Sequence, residues 1–385
     1  MFSSRLDFRQ APNALSVIID EKRRLGLPII DLTESNPTRA GFGYSEALEA
    51  LRDARASTYE PHPRGLMHAR EAVAAYYAER GVDVSPERIW LTASTSEAYS
   101  LVIKLLADPG CEVLVPRPSY PLLDILAWLE GVRIGSYPLR YGEGWKIDHD
   151  GLESAITSET RAVFVVSPNN PTGSYLTSAD RSSLVGTCAR HNLALVADEV
   201  FFDYRLDSLE VPPCTLTATQ DVLTFILSGI SKVAALPQMK IGWIVMSGPD
   251  DLVREAETYL DLIADTYLSA STPAQHALPA WLQGRHSIQR QILSRLRENL
   301  SALEAAAGGA WRVLRAEGGW YAVVQYESGE REEDLVTSMA SENGILIHPG
   351  FFFDFPREGF LVLSLLTPVA ELREGVRLMA RRLGR

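Results

Sequence analysis

Short apolar runs recur between residues 85 and 246 of this 385-residue chain, and each is bounded by turn-forming or polar residues. The runs are rich in branched side chains: RIWLT (88–92), EVLV (112–115), AVFVV (162–166), LALVA (193–197), LTFIL (223–227) and IGWIVM (241–246). Continuous apolar runs of this length are typical of strands that are buried on both faces of a sheet. The pattern therefore predicts a buried sheet across the middle of the chain.

Helical patterns separate these runs. The segment EAYSLVIKLLADPG places four apolar residues on one helical face before a Pro-Gly pair, and these are Ala98, Leu101, Val102 and Leu105. Strands that alternate with such helices are typical of α/β proteins, in which ligands bind beyond the carboxyl ends of the strands. We therefore expect a three-layer α/β/α domain with a mostly parallel sheet.

After about residue 250 the pattern changes to a long helical region and then to a smaller mixed unit. One face of a helix is marked by Ile292, Leu296, Leu300 and Leu303. Strands are predicted near WRVLRA, GWYAVVQY and GFLVLSLL, before a basic terminal helix. We predict a large domain at 45–275, a small α+β domain at 276–385, and an N-terminal arm at 1–44 that packs with the small domain.

Composition narrows the class of protein. The formal net charge of −12 argues against nucleic-acid binding, whose affinity comes largely from lysine and arginine on phosphates. No apolar run approaches the roughly 18 residues of a membrane-spanning helix, and the opening MFSSRLDFRQ lacks the apolar core of a secretion signal. We expect a soluble, cytoplasmic protein.

Cysteine and histidine give no pattern of a metal site. Cys111, Cys188 and Cys214 are widely spaced, and the seven histidines form no HExxH pair. We therefore expect buried free thiols rather than a disulfide framework or a zinc site.

Polar, turn-forming segments follow four of the predicted strands. ASTSEAYS opens a helix whose first N–H groups, at Thr95 and Ser96, can hold a phosphate. SPNNPTG forms a turn that presents the amide of Asn170. DEVFFDY places Asp198 at a strand end, and SGISK carries Lys232. A parallel sheet would bring these segments together at one edge.

A second lysine, Lys240, lies in the same largely apolar stretch, SGISKVAALPQMKIGW, as Lys232. Lysine is rarely buried, because removing water from its charge is costly without a compensating partner. A phosphate cradle, a carboxylate and a reactive lysine are together what pyridoxal phosphate requires, since the amine bonds to its aldehyde and the carboxylate keeps its ring nitrogen protonated. We therefore predict this cofactor, with Lys232 bonded to it and Lys240 paired with its phosphate.

The ordered motifs Y-x-P-x-x-x-G, T-x-x-x-x-E-A, P-x-P-x-Y, N-P-T-G, D-E-V and S-K-x7-K-x-G-W resemble those of the class I and II aminotransferases. These are fold type I pyridoxal phosphate enzymes, and the resemblance extends from DLTESNPT near residue 31 to GFLVLSLLTP near residue 368. It implies transfer of an amino group between an amino acid, or a related amine, and an oxo acid. It also implies a role in amino acid metabolism and a homodimer.

The resemblance implies a role for each matching residue. Lys232 would form the Schiff base, Asp198 would pair with the ring nitrogen, and Asn170 would bond to the ring hydroxyl oxygen. Tyr120 would stack on the ring. The phosphate would be held by Thr95, Ser96, Ser231 and Lys240, with Tyr59 reaching the phosphate in the partner subunit.

The sequence departs from the family pattern at three positions. Lys240 stands where most relatives have an arginine, so it supplies a point charge without the two-pronged grip. Phe201 stands where many relatives have a tyrosine that donates to the ring oxygen, and its loss should shift the protonation of the Schiff base. Val362 stands where relatives have an arginine that pairs with the substrate carboxylate. Losing such a pair weakens binding by about two powers of ten or more.

The substrate residues that the resemblance implies are Ser35, Arg39 and Val362. Arg39 is the replacement we favour for the missing arginine. The alternative is that Arg39 is a surface arginine held in a salt bridge. Other candidates border the site in relatives, and these are Arg64, Arg117 and His348. A proline and several aromatic residues would line an apolar pocket if their segments converge, or else belong to the core: Pro28, Phe42, Tyr44, Trp320 and Phe351 to Phe353.

Alternatives remain open at this point. Elimination by a C–S β-lyase and decarboxylation pass through a carbanion related to that of transamination. A noncatalytic cofactor-binding regulator is disfavoured by the acidic charge and by the lack of room for a DNA-binding segment before the enzyme-like pattern. Simpler structural roles are a core aromatic for Tyr120, helix caps for Asp198, Thr95 and Ser96, and a solvent-exposed lysine for Lys240.

Overall fold

The computed structural model describes residues 3–6, 13–44, 47–207, 213–217, 219–327 and 329–384, so part of the predicted N-terminal arm lies outside the described residues. The strands are β1 (Ile30–Asp31), β2 (Ile89–Thr92), β3 (Glu112–Arg117), β4 (Arg133–Tyr141), β5 (Trp145–Ile147), β6 (Thr160–Val166), β7 (Ala194–Asp198), β8 (Thr224–Gly229), β9 (Gly242–Ser247), β10 (Trp311–Val313), β11 (Tyr321–Tyr326), β12 (Ile345–Leu346), β13 (His348–Pro349) and β14 (Phe360–Ser364).

The α-helices of the described residues are interspersed with these strands along the chain. They are α1 (Ala14–Arg24), α2 (Met67–Glu79), α3 (Thr95–Leu106), α4 (Leu122–Leu129), α5 (His149–Ala155), α6 (Ser178–His191), α7 (Ile230–Val233), α8 (Asp250–Tyr267), α9 (Thr272–Ala306), α10 (Glu332–Asn343) and α11 (Val369–Leu383). None of these described helices combines the length and the apolarity that a membrane crossing requires.

The central sheet contains, among the described residues, eight strands in the order β2-β9-β8-β7-β6-β3-β4-β5. Strands β8, β7, β6, β3 and β4 run parallel to one another, whereas β9 and β5 run antiparallel to their neighbours. The predicted mostly parallel sheet is therefore confirmed.

Both faces of this sheet are covered, which explains the uninterrupted apolar runs. In β8, Phe225 and Leu227 belong to an apolar cluster that includes Val102 of α3. Between them, Ile226 belongs to a second cluster that includes Val73 of α2. Successive strand residues point to opposite faces, so a strand with a core on each side needs apolar residues at every position.

The C-terminal unit is built on a smaller antiparallel sheet of order β10-β11-β14-β13. Its core includes three of the predicted helix-face residues, Ile292, Leu296 and Leu303, while Leu300 is partly buried against it. The same core includes Leu15 of α1, and β1 pairs in parallel with β12. These contacts support our proposal that residues 1–44 pack with the small domain. The boundary at 275/276 also remains a proposal, since α9 runs through it.

Candidate active site

Three neighbouring parallel strands deliver the main predicted residues to one edge of the sheet. Asp198, the last residue of β7, lies opposite Val166 of β6 and Leu227 of β8. Asn170 follows β6, and Lys232 follows β8 in the short helix α7. Because these strands are parallel, Asn170, Asp198 and Lys232 leave the sheet at the same edge, as the sequence predicts.

The carboxylate of Asp198 is held at both oxygens. The Tyr99 hydroxyl donates to Oδ2 at 2.7 Å, and the Val200 N–H donates to Oδ1 at 2.9 Å. Burial raises the pKa of Asp198 to about 6, against the opposing effects of these two hydrogen bonds and of the Lys232 charge. Each carboxylate oxygen has a second lone pair, so Asp198 can accept a further hydrogen bond from a protonated ring nitrogen.

The amine of Lys232 lies among aromatic rings. Its Nζ is 4.7 Å from the centre of the Trp320 ring and 5.4 Å from that of Phe201. Burial lowers the pKa of Lys232 to about 8, although the charge of Asp198 opposes the change. A lysine with this pKa is more often neutral at physiological pH than an ordinary one, and only the neutral amine is a nucleophile or a base.

The turn that carries Asn170 is tied to the segment that carries Tyr120. The neighbouring Asn169 donates from Nδ2 to the Pro118 carbonyl at 3.1 Å and to the Thr172 hydroxyl at 2.9 Å. The Oδ1 atom of Asn170 is buried and has no hydrogen-bond partner among the described residues. The Tyr120 side chain is 48% exposed, so the alternative of a core aromatic does not hold.

A corner suited to a phosphate forms where α3 meets the ends of β8 and β9. Helix α3 begins at Thr95, and Ser94 caps it by accepting from the Glu97 N–H. The N–H groups of the first turn have no acceptor inside the helix and carry the positive end of its dipole. Gly229 and Gly242 both lie close to Thr95. Ser231 and Lys240 are each two residues away from one of these glycines in the chain.

Replacing Gly242 with alanine is expected to disturb this corner. The added Cβ would lie 2.8 Å from the Ser94 carbonyl carbon and 2.9 Å from the Thr95 nitrogen, so α3 must move away from β9. We expect the free energy of unfolding, measured with urea, to fall by about 1–3 kcal/mol through overpacking.

Gly284 in α9 is the matched control, because nothing lies within 4 Å of its added Cβ. There alanine should stabilise the helix by about 0.5–1 kcal/mol. A Gly242→Ala protein of unchanged stability would contradict the close packing.

Two of the predicted substrate residues, Ser35 and Val362, lie on the small-domain side of this site. The hydroxyl of Tyr321 is hydrogen-bonded to Ser35 and lies near Tyr120, and burial raises the pKa of Tyr321 to about 12. Val362 is fully buried opposite Val323 and His348, on the sheet face that carries Tyr321. This wall, made of Tyr321, Val323, Val362 and His348, is apolar around Val362.

The candidate arginines differ in their partners. Arg64 pairs with Asp261 at 2.7 Å, and Arg117 pairs with Asp124 at 2.6 Å and with Asp354 at 3.0 Å. Arg39 is exposed and makes no ion pair with the described residues. Lys240 is also exposed, at a backbone φ of 53°. Arg64 and Arg117 are therefore already neutralised, whereas Arg39 and Lys240 keep their charges available.

Sequence reasoning did not identify Tyr99, although it holds the Asp198 carboxylate. Its spacing offers a signal: Tyr99 stands one helical turn after Thr95, on the buried side of α3. Trp320, named only as one of several aromatic residues, lies directly beside the Lys232 amine.

These groups fit the predicted cofactor. An aldehyde can reach the Lys232 amine, and a protonated ring nitrogen can donate to a free lone pair of Asp198. A ring hydroxyl can donate to the unpartnered Oδ1 of Asn170, and a phosphate can accept from the first turn of α3. The fit rests on the buried Asn170 oxygen that lacks a partner and on the glycines that open the corner beside Thr95.

Comparisons with known proteins point the same way. Residues 28–377 match the family described as aminotransferase class I and II. The chain is 30% identical to the glutamate-pyruvate aminotransferase AlaA of Escherichia coli K12 over 281 residues, 71% of this chain and 69% of that protein. It is 27% identical to the human tyrosine aminotransferase over 382 residues, 94% of this chain and 83% of that protein. The solved alanine aminotransferase from Pyrococcus furiosus superposes with a TM-score of 0.91 at 25% identity, covering 99% of each chain.

Proposed function

The chain belongs to the class I and II aminotransferases, a pyridoxal phosphate-dependent family, and from this premise we propose that Lys232, Asp198 and Asn170 hold the cofactor at which it transfers amino groups. The observation that carries the proposal is the Lys232 amine, which lies against the Trp320 ring and within electrostatic range of Asp198. A lysine enclosed in this way that makes no ion pair with the described residues is costly, so a functional role accounts for it better than a structural one.

When bound, the cofactor supplies a protonated ring that withdraws electrons from the substrate carbon. Asp198 would hold the proton on the ring nitrogen, and the Tyr99 hydroxyl orients the Asp198 carboxylate. Lys232 would hold the aldehyde through its Nζ, and the same Nζ, when free, would accept the proton from the substrate carbon. The lowered pKa suits this role, because a base works best when its pKa is near the working pH.

Phosphate binding is proposed for Thr95, Ser96, Ser231 and Lys240. Support comes from the first turn of α3 and from the two glycines that bring β8 and β9 against it. The exposed Lys240 contributes a charge that can turn toward a phosphate without breaking any ion pair with the described residues. We expect it to contribute less than the helix N-terminus, because a solvated point charge is weakly directional.

The proposed substrates are an amino acid or related amine and an oxo acid. Ser35 and Tyr321 supply neutral hydroxyls on the small-domain side, and Val362 supplies an apolar surface. Arg39 is the free cation that we propose for a substrate carboxylate. A panel of amino donors should therefore include pairs that differ only in the α-carboxylate, tested with the native protein and with Arg39→Gln.

The test of the reaction type mixes the purified, cofactor-loaded protein with amino donors and oxo acids and measures the products. Amino transfer gives a new amino acid and a new oxo acid in equal amounts. Pyruvate and ammonia released from a β-substituted donor would favour a C–S β-lyase, and carbon dioxide would favour a decarboxylase. Either outcome without amino transfer would overturn the proposal.

We propose further that the protein is a homodimer in which Tyr59 approaches the phosphate of the partner subunit. The Tyr59 side chain is 67% exposed, although it lies beside Tyr267 of α8. Tyr267 is itself 52% exposed. Exposed large apolar side chains grouped in this way are typical of a protein interface. The cytoplasmic location stays a prediction.

A hybrid of two variants tests the position of Tyr59. Tyr59→Phe and Lys232→Ala are mixed, dissociated and reassociated, so that hybrid dimers form. If Tyr59 acts across the interface, one site of each hybrid contains both Tyr59 and Lys232, and we expect activity well above that of either parent. Activity no greater than that of the Tyr59→Phe parent would place Tyr59 in the site of its own chain. Reassociated native protein serves as the control.

A further inference from the structure

Lys232 stands on a very short helix that cannot hold its own shape. Helix α7 has four residues, Ile230–Val233, and is followed by Ala235 at a positive φ of 53°. A single turn is unstable in isolation, and the last carbonyls of α7 have no partner inside the helix, although the Ala235 N–H just beyond it donates to the Lys232 carbonyl at 3.1 Å. The position of Lys232 therefore depends on groups outside α7.

Two buried side chains supply these outside contacts. The Tyr204 hydroxyl donates to the Lys232 carbonyl at 2.6 Å, and the Gln289 amide donates to the Val233 carbonyl at 2.8 Å. Tyr204 is fully buried, and Gln289 of α9 is 8% exposed. Both carbonyls at the end of α7 are thus fixed from other elements of the fold.

The same side chains also contact other parts of the site. The Tyr204 ring packs edge-on against Trp320 at 5.1 Å between ring centres, and Trp320 is the ring beside the Lys232 amine. The Gln289 amide also donates to Asp203 at 2.9 Å. Asp203 and Tyr204 lie in the loop that begins directly after Asp198, the last residue of β7.

A buried ion pair fixes the start of this loop. Glu199, directly after Asp198, pairs with Arg80 at 3.0 Å, and Arg80 donates to the Tyr76 hydroxyl at 3.0 Å. That hydroxyl lies 3.2 Å from both carboxylate oxygens of Asp203. Buried polar groups therefore connect the residue after Asp198 with the residue after Lys232.

We propose that Tyr204 and Gln289 are positioning residues for Lys232, a proposal that rests on the proposed function. By holding the two carbonyls at the end of α7, they fix the Cα from which the amine must reach both the cofactor and the substrate carbon. A displacement of about 1 Å at a reacting group costs up to about a hundredfold in rate. Two directional hydrogen bonds from buried groups are suited to prevent it.

Tyr204→Phe tests the proposal, because it removes the hydroxyl and keeps the ring against Trp320. Tyr137→Phe is a matched control: the buried Tyr137 hydroxyl also donates to a backbone carbonyl, that of Phe164, at 2.7 Å. Tyr137 lies on β4, away from β8 in the sheet order. Both variants should lower the melting temperature by similar amounts.

With the cofactor-loaded enzyme we expect kcat of Tyr204→Phe to fall about tenfold and KM to change less than about twofold, the pattern of lost alignment rather than lost binding. The pH midpoint of the visible cofactor absorbance should move as well, since Lys232 shifts against its aromatic surroundings. Tyr137→Phe should keep the native kcat and pH midpoint. Gln289→Met should resemble Tyr204→Phe in all three measurements.

Tyr204→Phe and Gln289→Met proteins that match Tyr137→Phe in kcat and in pH midpoint would overturn the positioning role. Borohydride reduction of the loaded native protein, followed by peptide mapping, separates this result from failure of the proposed function. Reduction that marks Lys232 in the native protein leaves the proposed function standing whatever the variants do. A native protein without that mark would overturn both.

Discussion

Replacing Lys232 with alanine is expected to lower the rate of amino transfer by about 10³-fold or more, because the change removes both the covalent attachment and the base. The surroundings of the side chain disfavour its charged form. Its amine lies 4.7 Å from the Trp320 ring, and burial brings its pKa to about 8. Multiple-turnover and single-turnover rates, measured with the best amino donor of the panel, check the prediction.

Lys104→Ala is the control for the loss of a lysine. Lys104 is on α3 and pairs with Glu130 on the surface, so its replacement should leave the rate unchanged. The Lys232→Ala protein should also fold normally, since alanine removes a buried amine that costs free energy. A Lys232→Ala enzyme with more than a tenth of the native rate would contradict the assignment.

The central strands were predictable from the sequence because they are covered on both faces. Ile226 and its neighbours in β8 are all fully buried, so the run LTFIL carries its own signal. Strands β4 and β5 were not predicted. In β4 only Tyr137 and Leu139 are buried, and the residues between and around them are exposed or half-buried. The run RIGSYPLRY is therefore too mixed to be distinguished from a loop by its apolar content.

The main residues of the candidate site were predictable for a related reason. Asp198 and Lys232 lie at or just after the ends of recognisable strands, and parallel strands bring such segments together at one edge of the sheet. The groups that contact or orient these two residues come from other parts of the fold. Tyr99 comes from α3, Trp320 from the small domain and Tyr204 from the loop after β7. Contacts between residues so distant in the chain depend on tertiary packing, which local patterns do not encode.

The wall around Val362 shows another limit of sequence reasoning. Comparison of motifs predicts that an arginine is missing at Val362, but only the pairing of β14 with β13 and β11 places Val362 beside His348 and Val323. Burial lowers the pKa of His348 to about 4, so this histidine is neutral at physiological pH and does not replace the cation. The charge for a substrate carboxylate must then come from outside this wall, which is why we propose Arg39.

Asp198→Asn is expected to lower the rate of amino transfer by about 10²- to 10⁴-fold, because a neutral amide no longer holds a proton on the ring nitrogen. The geometry should survive, since asparagine Oδ1 can still accept from the Val200 N–H while its Nδ2 donates to the Tyr99 hydroxyl oxygen. The variant should bind the cofactor more weakly and show a changed visible spectrum. Rates and equilibrium dialysis of the cofactor measure the two effects.

The same variant should have the opposite effect on the stability of the cofactor-free protein. The pKa of Asp198 is raised to about 6, above its ordinary value, so its protonated form is the one that the fold favours. Its contribution to stability is complete below about pH 4 and is lost as the pH rises through about 6.

Asparagine does not titrate. Urea denaturation should therefore show Asp198→Asn gaining on the native protein between pH 4 and pH 7, by at most about 3 kcal/mol. A difference independent of pH would show that Asp198 is well solvated and would remove the physical basis for its assigned role, because only a carboxylate in low-dielectric surroundings binds a ring N–H strongly enough to keep it protonated.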